Sequence, residues 1–139
     1  MLKTACLHTG ILNVLSKCGH GDKILIADGN YPIDSNTNKN VEKVYLNLTH
    51  GIPLVTDVLN VINETIEIEK LEVMVPGDAT QPPIFADFKD IVCSINRLEE
   101  LGRFEFYEAC KEENVKLAIA TGEQRVYANV LLTVGVVQR

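Results

Sequence analysis

Three apolar runs constrain this chain more than any other feature: Lys23–Ala27 (KILIA), Val115–Ala120 (VKLAIA) and Val126–Val134 (VYANVLLTV). Each is short for a helix, and each is bounded by turn-forming residues such as Gly21-Asp22, Asp28-Gly29 or Gly122. The pattern predicts strands, with Lys23–Ala27 buried in a sheet. Segments of helical period lie between them. Ile11, Leu12, Leu15 and Cys18 follow Thr9, a candidate N-cap, and precede Gly19, a candidate C-cap. Leu54, Val55, Val58, Leu59 and Ile62 follow Pro53, which suits a first helical turn. Pro82-Pro83 opens a helix carrying Ile84, Phe85, Phe88, Ile91, Val92 and Ile95, and another is predicted from about Arg103 to Glu113. Val44, Leu46 and Leu48 alternate as a half-buried strand, and Ile66 to Val75 supplies one or two more. Strands alternating with helices give an α/β fold, expected as a three-layer α/β sandwich with a central mixed sheet.

With 139 residues the chain fits one domain, residues 1–139, and 46% hydrophobic with 23% charged residues is ordinary globular usage. A formal charge of −6 with no basic cluster disfavours nucleic acid as a partner. No apolar run reaches membrane-spanning length, and the N-terminus lacks the layout of a signal peptide, so a cytoplasmic protein without a membrane partner is expected. Four irregularly spaced cysteines, at 6, 18, 93 and 110, read as free, semi-buried thiols.

Chemistry concentrates at breaks in the pattern. His20 lies between two glycines just before the KILIA strand, and Asp28 sits where that strand ends, the usual place for working residues in open α/β sheets. An imidazole and a carboxylate so placed suit acid–base work on a small polar ligand. A turn cap at Asp28 and a plain loop histidine fit the same pattern. The segment Asp28 to Val41, rich in Asn, Asp, Gly and Pro, reads as a loop of functional length. Thr121 to Asn129 concentrates Glu123, Arg125, Tyr127 and Asn129 between two strands. If that stretch is extended, Tyr127 and Asn129 point the same way and can hydrogen-bond a ligand with many hydroxyls. Arg103 heads an aromatic helix, Arg103-Phe104-Glu105-Phe106-Tyr107-Glu108, where an ordinary surface arginine is the plain alternative.

Other chemistries fit poorly. Cys6-x-His8 and Cys18-x-His20 lack zinc-site spacing, so no metal is expected. Gly19-His20-Gly21 precedes a strand, whereas a dinucleotide loop follows one. No Ser or Cys sits in a nucleophile elbow.

Together, Gly19-His20-Gly21-Asp22-Lys23 through Asp28, the Arg103–Glu108 motif, and Thr121-Gly122-Glu123 through Tyr127-Ala128-Asn129 with Gly135-Val136 resemble the sugar mutarotase family of D-ribose pyranase and L-fucose mutarotase. The resemblance runs nearly end to end. It implies an isomerase without cofactors, acting on a free monosaccharide, with His20 as proton donor and Asp28, Arg103, Tyr127, Ala128 and Asn129 at the sugar. It also implies a ring-shaped homo-oligomer, a pentamer or decamer, whose subunits complete one another's sites. Arg103 and the aromatics after it look like the fucose branch. Ala128 stands where the fucose branch tends to have glycine, Asn47-Leu48-Thr49-His50-Gly51-Ile52-Pro53-Leu54 resembles the ribose branch, and a non-catalytic sugar-binding protein would want the same groups.

Overall fold

A computed structural model describes residues 1–138. The elements are α1 Thr9–Leu15, β1 Lys23–Ala27, β2 Glu42–Tyr45, α2 Val55–Asn63, β3 Ile68–Met74, α3 Ile84–Ile91, β4 Glu99–Leu101, α4 Arg103–Cys110, β5 Val115–Ala120 and β6 Val130–Val134. One six-stranded sheet has the order β2-β5-β1-β6-β3-β4. β1 and β2 run parallel to β5, and β4 parallel to β3, while β6 is antiparallel to both β1 and β3. The sheet is therefore mixed, as expected.

Both faces of the sheet are covered, because its central strands are apolar on both sides. Ile24 and Ile26 of β1, with Leu117 and Ile119 of β5, pack under α1, α2 and α3 through Ile11, Leu15, Leu59, Ile62 and Phe88. Leu25, Ala27, Ala118 and Leu131 face the other way, where α4 lays Phe106, Ala109 and Cys110 across them. Tyr31, Ile33 and Val41, from the long loop after β1, complete that third layer. Phe88 and Phe106 are each fully buried, worth about 1.5–3 kcal/mol apiece in transfer terms.

Several boundaries differ from the sequence expectation. α1 is capped by His8 rather than Thr9, its Nδ1 accepting from Ile11 N–H at 3.2 Å, and it closes at Ser16 rather than Gly19. α2 begins after Leu54, so Pro53 precedes the helix. α3 ends at Ile91 and α4 at Cys110, each shorter than the apolar periodicity suggests. β2 ends at Tyr45, and Leu48, expected to be half-buried, is exposed in the next loop. β4 was hidden among Glu99 and Glu100; only its pairing with β3 makes it a strand. The four cysteines are free, but Cys93 is exposed and Cys6 and Cys110 are fully buried. Among the described residues, no helix is long and apolar enough to cross a membrane.

Candidate functional site

The last strand is shorter than its sequence suggests, and this shortening shapes the site. Residues 126–129 are not part of β6. Tyr127 has φ 57°, a left-handed conformation that costs a non-glycine residue of order 1 kcal/mol. Tyr127 and Asn129 therefore do not alternate along an extended run. They meet in one place because the chain turns between them.

Two tertiary ties hold this turn. The first joins Asn129 to Asp28 across the end of β1. The Asp28 N–H donates to Asn129 Oδ1 at 2.8 Å, and Asn129 Nδ2 donates back to Asp28 Oδ2 at 3.2 Å. Asn30 N–H donates to Asp28 Oδ1 at 2.9 Å. Both side chains are buried, and burial pushes the Asp28 carboxyl above its ordinary range, outweighing the hydrogen bonds from Asn30, Tyr31, Ala128 and Asn129 that favour the anion. Asp28 is thus a desolvated group, easier to protonate than a surface aspartate.

The second tie is Glu123, which is only 1% exposed. Its Oε1 accepts from Arg125 Nε at 2.7 Å and from Arg125 N–H at 3.2 Å. Its Oε2 accepts from Arg125 Nη2 at 2.9 Å and from Val55 N–H, at the start of α2, at 3.2 Å. Burial alone would raise this carboxyl, but the bonds from Arg125 and Val55 hold it below the ordinary glutamate range. The carboxylate also meets the positive end of a helix. Glu123 and Arg125 therefore frame the loop. Gly122 fits here because a side chain at that position would lie 2.7 Å from Ile52 O.

Asp28, Asn129, Tyr127 and Arg103 line one cavity of about 280 Å³, just below the usual range for drug-sized ligand pockets. It opens beside the carboxyl ends of β1 and β3 and the first residue of α4, which fits the general location of ligands in α/β sheets. Asn30, Tyr31, Met74, Tyr107 and Val126 complete the wall. Arg103 Nε donates to the Tyr107 hydroxyl at 3.4 Å, and its guanidinium lies 5.7 Å from the Tyr107 ring centre and 5.8 Å from that of Phe104. Such cation–aromatic packing steers the guanidinium without neutralising it. The cavity thus combines a carboxylate, an amide, a cation and phenols with an apolar wall of Met74, Val126 and tyrosine rings.

Two expected site residues bring no side chain to this cavity. Ala128 is fully buried in the core under α1–α3, so its methyl does not face the cavity. His20 lies at the opposite end of β1 from Asp28; five strand residues alone span about 16 Å, so the two cannot meet within one chain. There His20 Nε2 contacts Glu69 Oε2 at 2.8 Å. Of the wall residues not expected, Tyr107 had a signal, standing one helical turn after Arg103 on the same face. Asn30 stands two residues past Asp28 in the same turn; Met74 gave no sign beyond ending a strand.

A family model described as the RbsD / FucU transport protein family matches residues 1–137. A protein of Staphylococcus haemolyticus named D-ribose pyranase is 34% identical over 137 residues, which cover 99% of each chain. Among solved structures, Bacillus subtilis RbsD complexed with D-ribose superposes with a TM-score of 0.85 at 29% identity, over 99% of this chain and 100% of that one. The fucose mutarotase of Streptococcus pneumoniae in complex with L-fucose gives a TM-score of 0.81 at 25% identity, again over 99% and 100%.

Proposed function

We propose that this chain, which belongs to the RbsD / FucU transport protein family, is a mutarotase that interconverts the cyclic forms of a free monosaccharide. The observation that carries the proposal is the convergence of Asp28, Asn129, Tyr127 and Arg103 on one small cavity, drawn from positions up to 101 residues apart. The similar proteins named D-ribose pyranase and fucose mutarotase support the same reaction class.

The chemistry asks for little. Ring opening breaks the bond between the anomeric carbon and the ring oxygen, delivers a proton to that oxygen and removes one from the anomeric hydroxyl. The open aldehyde then recloses on its other face or through another hydroxyl. Proton transfer alone suffices, without a cofactor. Positioned acid–base groups typically give ~10²–10⁴-fold, ample for a reaction that already runs unaided in water. In this reading Asp28 and Asn129 hold sugar hydroxyls, and Arg103 and Tyr127 fix the ring. His20 of the partner subunit supplies the proton, since His20 of the same chain stands too far away. Exposed apolar side chains, Val126 in the cavity wall and Phe104 next to Arg103, suit a contact between subunits of a ring-shaped homo-oligomer.

L-fucose is the first candidate sugar, because the apolar wall of Met74 and Val126 can receive its methyl group and Arg103 resembles the fucose branch. D-ribose is the second, on the strength of the relatives named D-ribose pyranase. Saturation-transfer NMR on both sugars tests the reading. Faster exchange between the signals of cyclic forms is expected on adding protein. Binding without faster exchange would leave a non-catalytic sugar-binding protein, and no effect on either sugar would remove the proposal.

A further inference from the structure

We infer that a larger cavity beside the first holds a second sugar unit, which makes a disaccharide with a free reducing end a substrate. The inference rests on the reading of the first cavity as the sugar site. The neighbouring cavity has a volume of about 530 Å³, within the usual range for ligand pockets. Asn30 lines both. The residue before it shows how closely the two are joined. Gly29 N–H donates to Glu123 O at 2.8 Å, and a Cβ on Gly29 would stand 3.1 Å from the same oxygen. The turn Asp28–Asn30 thus packs directly on the loop after β5, and both cavities open along it. β1 and β5 are parallel neighbours, and the crevice outside such carboxyl ends is where open α/β sheets take ligands.

The second cavity is built on main-chain hydrogen bonds. Gly51 N–H donates to Gly122 O at 2.6 Å and Gly122 N–H to Pro53 O at 2.9 Å, tying the loop after β2 to the loop after β5. Gly51 has φ +80°, which ordinary residues rarely adopt. Thr121 Oγ1 donates to Ala27 O at 2.7 Å and fixes the second loop to the end of β1. Because the backbone pairs with itself, the side chains are left over. Asn30, Asn47, Thr49, His50 and Gln124 line the cavity, and none of these side chains has a hydrogen-bond partner among the described residues. Asn38, Asn63 and Asn114 differ, since each donates its amide to a main-chain oxygen of a distant segment.

This lining selects its ligand. Three amides, a hydroxyl and an imidazole can each donate and accept, which matches the hydroxyls of a sugar. Among the described residues no lysine or arginine lines the cavity, which disfavours a phosphate. Its one carboxylate, Glu123, is buried and spent on Arg125 and Val55, which disfavours a cation. A third cavity, walled by Pro76, Pro82, Pro83 and Ile84, adjoins the first through Val126 and Tyr127, but it is mostly apolar and gives hydroxyls little to bond. A neutral polyhydroxyl unit therefore extends past Asn30, not past Val126. The reaction is unchanged by the extension. Ring opening needs only the anomeric hydroxyl and ring oxygen of the reducing unit, and the glycosidic bond stays intact.

The test uses the full chain with L-fucose, D-ribose, fucosyl-fucose and ribosyl-ribose, both disaccharides linked so that the reducing ring can still open and close. Saturation-transfer NMR reads exchange at the reducing-end signals over a range of sugar concentrations. The disaccharide of whichever monosaccharide is accelerated should also exchange faster on adding protein. Its half-saturating concentration should lie about 2- to 10-fold below that of the monosaccharide, the effect of a net neutral hydrogen bond. His50 and Gln124 are exposed, so the double variant His50→Ala, Gln124→Ala should fold. It should erase that advantage, while the half-saturating concentration of the monosaccharide stays within about twofold. Acceleration of monosaccharides alone would overturn the second sugar position. So would a disaccharide whose half-saturation the double variant leaves unchanged, since its second unit would then lie elsewhere. No acceleration of any of these sugars would instead remove the mutarotase reading on which the inference rests.

Discussion

The pair Glu123–Arg125 offers a sharp test of whether the loop 121–129 is framed by its own charges, because its partners are so unequally buried. Glu123 is 1% exposed, whereas the Arg125 side chain is 43% exposed and has a second partner, Asp87 Oδ2, at 3.1 Å. Replacing Glu123 by Gln turns one acceptor into a donor facing Arg125 Nη2 and Val55 N–H. Two of four hydrogen bonds are lost, at a cost of about 1–3 kcal/mol. Arg125 meanwhile keeps water and Asp87. Replacing Arg125 by Met leaves a buried carboxylate with two backbone donors at 3.2 Å each. Orphaning a buried charge costs about 3–5 kcal/mol, and partial exposure of the lost guanidinium places the effect near 3. The half-exposed partner is thus the costlier one to remove. The double variant should cost less than the sum, with a coupling of about 1–3 kcal/mol.

Urea unfolding at pH 7 and one fixed protein concentration measures all three variants. Acid adds a second check on the sign. The Glu123 carboxyl sits below its ordinary range in the folded chain, so its contribution is complete above about pH 5 and fades as pH falls through the folded value. Glu123→Gln should flatten that part of the stability curve. Arg125→Met less costly than Glu123→Gln, or strictly additive effects, would refute the frame. Unchanged stability with lost sugar affinity would show instead that these groups touch the ligand.

Two further outcomes follow from the geometry. Asn129→Ala strands the buried Asp28 N–H and removes a donor from its carboxylate, so thermal unfolding should show a loss of about 1–3 kcal/mol and titration calorimetry a loss of sugar binding. If the site is shared between copies, light scattering should report an oligomer, and co-refolding inactive His20→Ala with inactive Arg103→Ala should restore a fraction of the exchange; a monomer, or no restoration, would remove the shared site.

What was legible in the sequence was what local pattern controls. KILIA and VKLAIA are apolar on both faces, and only a strand covered on both sides satisfies that, so the sheet and its layers could be read. Asp28, Arg103, Tyr127 and Asn129 could be picked out because polar groups stood at the ends of apolar runs. Local pattern failed where distant contacts decide. Val126–Val134 reads as one strand, yet Asn129 is held by Asp28 from 101 residues away, and the Glu123 that grips Arg125 is itself tied to Val55 from 68 residues away; these ties turn the chain out of the sheet. β4 carries two glutamates in three residues and exists only through β3. An imidazole cap on α1 was equally unreadable, since Ser, Thr, Asp and Asn dominate that position.

The strand that marks out His20 and Asp28 also separates them. Both stood out because they flank one short strand, and a strand is the one element that holds its two ends as far apart as the chain allows. Residues picked at opposite ends of a strand can share a substrate only if opposite strand ends of two copies meet. The cavity at the Asp28 end has cation, amide and phenol groups for holding a sugar. The His20 end has a carboxylate-held imidazole on an exposed turn and is not among the residues lining that cavity. Each end has what the other lacks. A lone chain would have to draw its proton from the cavity itself, where Asp28, raised by burial, is the titratable carboxyl. Exchange that survives loss of His20 but not of the Asp28 carboxyl would locate the chemistry there, and exchange lost with either places the working unit across two chains.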